Sequence, residues 1–319
     1  MKLTFEQVKA VTVGSIRTEM RDGGIHFAKC TESQVAAWKR KSDGLGKNSS
    51  ATTGVRLDFH TNSQNLSFRV LGGRKYEVKV DGLTFAHYVL NSGDAVSVAL
   101  SDGLGNKKDE YRVTLVLPSH DSPGVLEYVE LDDGAFVRPH EFDMKMLFIG
   151  DSITQGWAST RDTLSYAYRV SDFFNAESVI QGTGGAYFNE ESFDHIDFDP
   201  DIVFVSYGTN DFGHYKTYDD LRIHCDAHLA LIAEEYKDKK IFVISPIWRE
   251  HREGKAMGTF EECRRIIIDI AEKYGMIHID GLTLVPPLPE FFQDEYLHPN
   301  DNGFSLYAEN LIKKIQKYM

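Results

Sequence analysis

The sequence predicts two regions of different fold class, an all-β sandwich followed by an α/β domain with a parallel sheet. Apolar residues alternate with period two up to about residue 140, as in half-buried strands. Beyond that point, short apolar runs alternate with helical patterns. At 319 residues the chain is also long for a single core. We therefore expect a β-sandwich or jelly roll over 1–140 and a three-layer α/β domain over 141–319.

Five strands are predicted in the first region, because apolar side chains occupy every second position there. The alternating sets are Val55, Leu57 and Phe59; Leu66, Phe68 and Val70; Tyr76, Val78 and Val80; Val96, Val98 and Leu100; and Val113, Leu115 and Leu117. Turn residues separate them, among them Gly72-Gly73, Asp81-Gly82, Ser92-Gly93-Asp94 and the tetrapeptide Asp-Gly-Leu-Gly at 43–46 and 102–105. One helix is predicted over 32–41, with Thr31 as its cap.

The second region has five apolar runs that predict buried strands and four amphipathic patterns that predict helices. The strands are expected at 146–149, 178–181, 201–207, 241–247 and 276–280, and the helices at 163–175, 218–236, 259–274 and 303–317. Five strands with short connections favour the flavodoxin-like strand order 2-1-3-4-5. In that order the first and third strands are neighbours, and ligands bind where the connections diverge between them.

Polar residues that can carry chemistry follow these strands. Ser152 comes directly after the first strand, within Gly150-Asp151-Ser152, and Asn210 follows the third. A serine at the exit of a buried strand is rigidly mounted while its oxygen stays reachable. His298 lies far downstream, before the last helix. Serine, asparagine and histidine in this arrangement suggest acyl transfer.

Four segments resemble the sequence blocks of the SGNH, or GDSL, hydrolase superfamily. They are Gly150-Asp151-Ser152, Gly182-Thr183-Gly184-Gly185, Gly208-Thr209-Asn210-Asp211 and His298-Pro299-Asn300. The resemblance covers about the last 175 residues of the chain, and it implies a three-layer hydrolase domain over 141–319. The β-rich region in front is similar in architecture to the first domain of two-domain carbohydrate esterases and related acyltransferases of this superfamily.

The resemblance implies a serine esterase that works without a cofactor or metal. Ser152 would be the nucleophile, and His298 would take its proton and deliver it to the leaving alcohol. The oxyanion hole would consist of the backbone N–H groups of Ser152 and Gly182 and the side-chain amide of Asn210. A glycine at 182 fits this role, because no side chain would keep its amide from the oxyanion.

The acidic member of the triad departs from the family pattern. The family has aspartate three residues before the histidine, whereas Glu295 occupies that position in this chain and Asp294 precedes it. Either carboxylate could hold the imidazole, or a neutral group could do so and leave a dyad. The register favours Glu295.

The expected substrate is a short acyl ester, acetyl above all, of a carbohydrate or a similar small polar molecule. Tyr187 and Trp248 flank the family blocks and could bind sugar rings, although Tyr187 could equally be core. Two alternatives stay open: an acyltransferase of the same superfamily, and a carbohydrate-binding protein with a vestigial hydrolase domain. The sequence does not indicate the oligomeric state.

Composition and charge exclude several other classes. A formal net charge of -13 disfavours nucleic acid and anionic membrane surfaces as partners. No apolar stretch approaches the ~20 residues that a membrane span needs, and the first residues do not form an export signal, so we expect a cytoplasmic protein. Three scattered cysteines argue against a disulfide framework. His224 and His228 have the spacing of helical zinc ligands, but without a third ligand we expect packing roles.

Overall fold

Three β-sheets organise the protein in a computed structural model that describes residues 1–120, 122–294 and 296–319. Two antiparallel sheets come from the N-terminal region, residues 1–140, and one parallel sheet comes from the C-terminal region, residues 141–319. The predicted fold class, a β-sandwich followed by a three-layer α/β domain, is confirmed. None of the helices in the described ranges is long and apolar enough to cross a bilayer.

The N-terminal region is a sandwich of two antiparallel sheets. Its strands are β1 (Thr12–Val13), β2 (Arg17–Arg21), β3 (Gly24–Ala28), β4 (Arg56–Thr61), β5 (Asn65–Gly72), β6 (Lys75–Val80), β7 (Leu83–Val89), β8 (Ala95–Ala99), β9 (Tyr111–Val116), β10 (Val125–Leu131) and β11 (Arg138–Pro139). One sheet has the order β1-β4-β9-β6-β7, with β11 paired to β4, and the other has the order β2-β3-β10-β5-β8. The five predicted strands are all present, as β4, β5, β6, β8 and β9. Their alternating apolar side chains form the core between the sheets.

Three helices accompany this sandwich: α1 (Phe5–Ala10), α2 (Glu32–Lys41) and α3 (Asp43–Ser50). Helix α2 has the predicted bounds, and Thr31 caps it by accepting a hydrogen bond from the Gln34 N–H. The prediction of a turn at 43–46 is wrong, because these residues begin α3. Ser42 caps α3, and Gly46 packs so closely on α2 that a Cβ there would lie 2.9 Å from Lys39 Cβ.

The C-terminal region contains a parallel sheet of five strands. They are β12 (Met144–Gly150), β13 (Ala176–Gly182), β14 (Ile202–Ser206), β15 (Lys240–Ile244) and β16 (Ile277–Ile279). Their order is β13-β12-β14-β15-β16, which confirms the predicted order 2-1-3-4-5. The loops that follow β13, β12 and β14 therefore lie side by side at one edge of the sheet.

Helices cover both faces of this sheet. They are α4 (Ser152–Gln155), α5 (Tyr166–Phe173), α6 (Asp211–His214), α7 (Tyr218–Glu235), α8 (Phe260–Lys273) and α9 (Asp301–Ile315). Successive residues of β12 point to opposite faces: Leu147 joins the apolar cluster under α7 and α8, and Phe148 joins the cluster under α5 and α9. The result is a three-layer domain with two apolar cores.

The N-terminal region packs along β13, the edge strand of the parallel sheet. An edge strand presents unpaired backbone groups, and here side chains of the N-terminal region satisfy two of them. Arg56 donates to the carbonyl of Ala176 at 3.3 Å, near the start of the strand. Lys29 donates to the carbonyl of Gly182 at 2.5 Å, at its end. The sandwich therefore covers the strand that leads into the glycine-rich loop.

Candidate active site

Ser152 is the first residue of α4, and only Asp151 separates it from the end of β12. Gly150 leaves no room for a side chain, because a Cβ there would lie 2.1 Å from Thr154 Oγ1. Asp151 caps the short helix by accepting a hydrogen bond from the Ile153 N–H at 2.9 Å. Gly150 thus allows Thr154 to approach closely, Asp151 caps the helix, and Ser152 presents its hydroxyl.

Ser152, His298 and Asp294 form a hydrogen-bonded series. Ser152 Oγ lies 2.9 Å from His298 Nε2, and His298 Nδ1 lies 2.6 Å from Asp294 Oδ2. Burial opposes ionisation of Asp294, but hydrogen bonds from the backbone and ring of His298 and from the backbone of Leu297 and Tyr296 lower its pKa below 3.8. Asp294 is therefore a carboxylate at neutral pH and can hold the imidazole in one orientation.

Glu295, which the register favoured as the triad acid, lies outside the described residues. The open alternative, Asp294, is the carboxylate in contact with His298. Its other oxygen, Oδ1, accepts three backbone N–H groups at 2.8 to 3.2 Å. This geometry supports Asp294 in the acid position.

Asn210 is the N-cap residue that precedes α6, at the end of the loop after β14. Its side-chain amide donates to the carbonyl of Ala186 at 2.9 Å, and no described residue accepts the second N–H of the amide. Asp211 accepts hydrogen bonds from the N–H groups of Phe188 and Gly208 at 2.9 and 2.8 Å. Burial raises the pKa of Asp211 to about 7. Asp211 thus ties the loop after β13 to the loop after β14.

The backbone groups of Gly182 point away from β12. The next residue, Thr183, donates its N–H to Gly150 of β12, and the backbone groups of successive strand residues point to opposite sides. The carbonyl of Gly182 accordingly faces Lys29, and its N–H points to that side too, away from β12. Packing requires a glycine at position 182, because a Cβ there would lie 2.3 Å from the backbone nitrogen of Gln155.

The glycine loop, residues 182–185, instead offers Gly185. This residue is exposed with a φ of +86°, and within the described residues no protein acceptor bonds its N–H. The neighbouring Gly184 N–H is already bound, at 2.7 Å, by Gln155 Oε1. Gly185, unlike Gly184, therefore keeps an N–H that no described residue accepts.

An open cavity of about 520 Å³ adjoins the glycine loop and has walls from both regions. Its lining residues are Lys41, Ser42, Gly44, Leu45, Asn48, Gly184, Gly185, Tyr187, Asn210 and His214. The first five belong to the N-terminal region, and sequence reasoning missed them. No motif could have identified them, because only folding brings α2 and α3 to the strand exits.

Of the two predicted aromatic contacts, the structure brings Tyr187 to this cavity. Its ring stacks on His214 with centroids 3.7 Å apart and meets Trp38 edge to face. Trp248 lies elsewhere, with its ring tilted against Phe292 at 5.1 Å in the apolar cluster under α5 and α9. Packing is therefore the role that the structure supports for Trp248.

The histidine pair of α7 packs against the protein. His224 Nδ1 lies 2.8 Å from a carboxylate oxygen of Glu190, and His228 Nδ1 lies 2.9 Å from the carbonyl of Asn189. Burial lowers the pKa of His228 to about 4, so this ring is neutral at physiological pH.

Comparisons with known proteins agree with this geometry. Residues 148–306 match the model of the GDSL-like Lipase/Acylhydrolase family. The chain is similar to the salicylyl-acyltransferase SsfX3 from a tetracycline biosynthetic pathway, with 18% identity, a TM-score of 0.81 and 96% and 94% of the two chains covered. It is also similar to a family two carbohydrate esterase from Cellvibrio japonicus, with 14% identity, a TM-score of 0.71 and coverage of 99% and 97%.

A family two carbohydrate esterase from Clostridium thermocellum, solved in complex with cellohexaose, is a third similar structure. It has 18% identity and a TM-score of 0.66, with 96% of this chain and 98% of the other covered. At these identities the likeness concerns the fold of both regions. A search of curated proteins found no match.

Proposed function

Residues 148–306 belong to the GDSL-like lipase/acylhydrolase family, and on that basis we propose that the protein is a serine esterase acting on short acyl esters of carbohydrates or similar small polar alcohols. The observation that carries the proposal is the series Ser152, His298 and Asp294, with both hydrogen bonds in place. Serine and histidine within hydrogen-bond reach, with the histidine oriented by a third group, are the geometric signature of an activated nucleophile.

In the proposed reaction, Ser152 Oγ attacks the ester carbonyl while His298 Nε2 takes the hydroxyl proton. The C–O bond to the alcohol then breaks, and the imidazolium returns its proton to the leaving alkoxide. Water attacks the acyl-serine by the same route and releases the acid and free Ser152. Asp294 stabilises the imidazolium in both steps, and its lowered pKa keeps it charged.

The negative charge on the carbonyl oxygen requires donors on the opposite side of the carbon. The second N–H of the Asn210 amide, the backbone N–H of Ser152 and the N–H of Gly185 are the proposed donors. The adjacency of β13, β12 and β14 supports this set, because it brings the three loops to one edge of the sheet.

The cavity beside Asn210 is the proposed site for the alcohol part of the ester. Hydroxyl, amide and backbone groups line it together with the ring of Tyr187, a mixture that suits a hydroxylated ring. The names of the similar carbohydrate esterases, one of them solved with cellohexaose, point to the same substrate class. Acetyl is the acyl group that we propose first.

An acyltransferase is the second candidate, because the fold of both regions is shared with a salicylyl-acyltransferase. An acyltransferase would differ from an esterase only in the nucleophile that attacks the acyl-serine, which would be an acceptor molecule and not water. A carbohydrate-binding protein with a vestigial hydrolase domain has less support, since Asp294 contacts His298 and can supply the acid of a triad.

The decisive experiment compares the wild-type chain with Ser152→Ala on p-nitrophenyl acetate and on acetylated sugars. We expect the variant to lose at least about 10³-fold in kcat, as for other catalytic serines. A fluorophosphonate probe should label Ser152 and no other residue. Near wild-type turnover in the variant, or labelling elsewhere, would contradict the mechanism.

A panel of acyl lengths and acceptors separates the two candidates. Acetyl to hexanoyl esters of one sugar define the acyl preference, and added alcohols or amines report transfer. An esterase should release free acid whatever acceptor is present. Acylated acceptor as the main product would instead favour the acyltransferase.

A further inference from the structure

Three side chains fasten the backbone of the glycine loop. Lys29 Nζ donates to the carbonyl of Gly182 at 2.5 Å, and Asn48 Nδ2 donates to the carbonyl of Gly184 at 2.9 Å. Gln155 Oε1 accepts the Gly184 N–H at 2.7 Å. Both polar groups of Gly184 are thereby satisfied, one from α3 and one from α4.

These side chains are themselves held by the N-terminal region. Lys29 Nζ also donates to the backbone carbonyl of Asn48 at 3.1 Å and to Thr53 Oγ1 at 2.7 Å. Gln155 Nε2 donates to the carbonyl of Ser119 at 2.7 Å, and Thr53 Oγ1 donates to the same carbonyl at 3.0 Å. Lys29 bonds to Thr53, and Thr53 and Gln155 both bond to the carbonyl of Ser119. These four residues therefore form one buried network.

Burial makes this network stiff. Lys29 and Gln155 are each 1% exposed, and desolvation by burial lowers the pKa of Lys29 to about 8 even though the nearby Cys30 opposes the shift. A buried polar group that loses a partner costs more than the bond itself contributes, so each member tends to keep its geometry.

The position of the glycine loop relative to Ser152 depends on this network. Gln155 belongs to the short helix that Ser152 begins, and it bonds directly to Gly184, the neighbour of Gly185. Oxyanion donors act only when they are placed within roughly 0.5 Å of the productive geometry. A loop displaced by about 1 Å can cost on the order of 10²-fold in rate.

We propose that Asn48, Lys29 and Gln155 are positioning residues for ester hydrolysis, so that the N-terminal region sets the geometry of the oxyanion hole. This inference rests on the proposed esterase function. It assigns a catalytic contribution to a region that carries no catalytic residue. It also explains why α3 reaches the strand exits.

The test uses full-length Asn48→Ala and Gln155→Ala on p-nitrophenyl acetate. We expect each to lower kcat by about 10- to 100-fold while KM changes less than about threefold, because the donors matter most in the transition state. The double variant should lose less than the product of the two single losses, since both side chains hold Gly184. Asn48→Asp, which has the same shape but no donor, should behave like Asn48→Ala.

Two control variants separate positioning from loss of stability. Lys47→Ala removes an exposed side chain of the same helix and should change nothing. Arg56→Lys weakens a different contact of the N-terminal region with β13, the one to the Ala176 carbonyl, far from the glycine loop. We expect it to lower the Tm at least as much as Asn48→Ala does, and to leave kcat unchanged.

Three outcomes overturn the proposal: kcat within twofold of wild type in both single variants, an equal kcat loss in Arg56→Lys, or an effect confined to KM. If Gln155→Ala does not fold, Asn48→Ala and Asn48→Asp decide the question. Failure of the esterase function is recognised separately. In that case the wild-type chain hydrolyses no ester and the fluorophosphonate does not label Ser152.

Discussion

Asp294 shapes the loop that carries His298 as well as orienting its ring. One carboxylate oxygen accepts the N–H groups of Tyr296, Leu297 and His298, and the other accepts the ring nitrogen at 2.6 Å. Aspartate side chains are short enough to bond the backbone two to four residues ahead, as in Asx turns. The loop and the triad therefore depend on the same side chain.

Asp294→Asn should lower kcat far more than Glu295→Gln does. The amide keeps the size of the side chain but cannot stabilise the imidazolium, and the corresponding change in a serine protease costs about 10⁴-fold. Steady-state kinetics of both variants on one ester give the ranking. A larger loss in Glu295→Gln would return the acid position to Glu295, and small losses in both would indicate a dyad.

The lowered pKa of Asp294 also predicts a pH dependence of stability. A carboxylate whose pKa is lower in the folded than in the unfolded state stabilises the folded protein. This stabilisation is complete above the pKa of the unfolded state, here 3.8, and is lost as the pH falls through the pKa of the folded state. The difference in unfolding free energy between wild type and Asp294→Asn should therefore be constant above about pH 5 and shrink below pH 3.8.

Urea unfolding at a series of pH values measures this difference. Asp238→Asn, at an exposed position, controls for the removal of one negative charge. A difference that grows towards low pH would contradict the assignment of a lowered pKa to Asp294.

At the scale of elements, the pentapeptide Ser-Asp-Gly-Leu-Gly occurs twice with two structures. At 42–46 it caps and begins α3, with Ser42 Oγ accepting the Leu45 N–H. At 101–105 it is a turn, in which Asp102 accepts the N–H groups of Leu104 and Asn106. Leu104 is 88% exposed, whereas Leu45 packs against the apolar cluster under α7 and α8. Tertiary packing therefore decides whether this pentapeptide begins a helix or forms a turn.

Leu45→Trp should narrow the cavity beside Asn210 and thereby test its proposed role as the alcohol site. We expect KM for an acetylated sugar to rise by about tenfold, because one lost contact of this kind is typically worth 1 to 3 kcal/mol. Turnover of a small ester such as methyl acetate should be unaffected. Leu104→Trp, in the other copy of the pentapeptide, is the matched control. Equal KM values of the two variants on the sugar ester would show that the cavity does not bind the substrate.

At the scale of the whole molecule, we propose that residues 1–140 and 141–319 are two domains that share one active site. The chain leaves the sandwich at β11, paired with β4, and enters the parallel sheet at β12. Contacts across the interface include β13, the glycine loop and, through His120 against Trp157, the residues next to α4. The N-terminal region is thus part of the wall of the site.

A chain truncated to residues 141–319 should therefore lose activity even on small esters. It would lack Lys29, Asn48 and Ser119, and the edge of β13 would be uncovered and prone to pairing with other chains. We expect a kcat at least about 100-fold lower and a tendency to aggregate. Size-exclusion chromatography and kinetics on p-nitrophenyl acetate check both. A monomeric, fully active fragment would show that the N-terminal region acts only as an accessory.

From the amino-acid sequence alone we could predict the fold class of both regions, the strand order of the parallel sheet, and the serine, asparagine and histidine at its edge. These follow from local periodicity and from residues adjacent to strand ends, and such information is contained in short stretches of chain. Additional strands, such as β2 and β10, were not predicted, because their apolar residues are few or irregularly spaced.

Three features become visible only in the folded chain: the direction of the Gly182 N–H, the described carboxylate that contacts His298, and the way the N-terminal region reaches the site. The direction of the Gly182 N–H depends on the register of β13 against β12, a property of two strands. The contact of Asn48 with Gly184 joins residues 136 positions apart. Local sequence contains no signal for such pairs, because they form only when two regions with separate cores pack together.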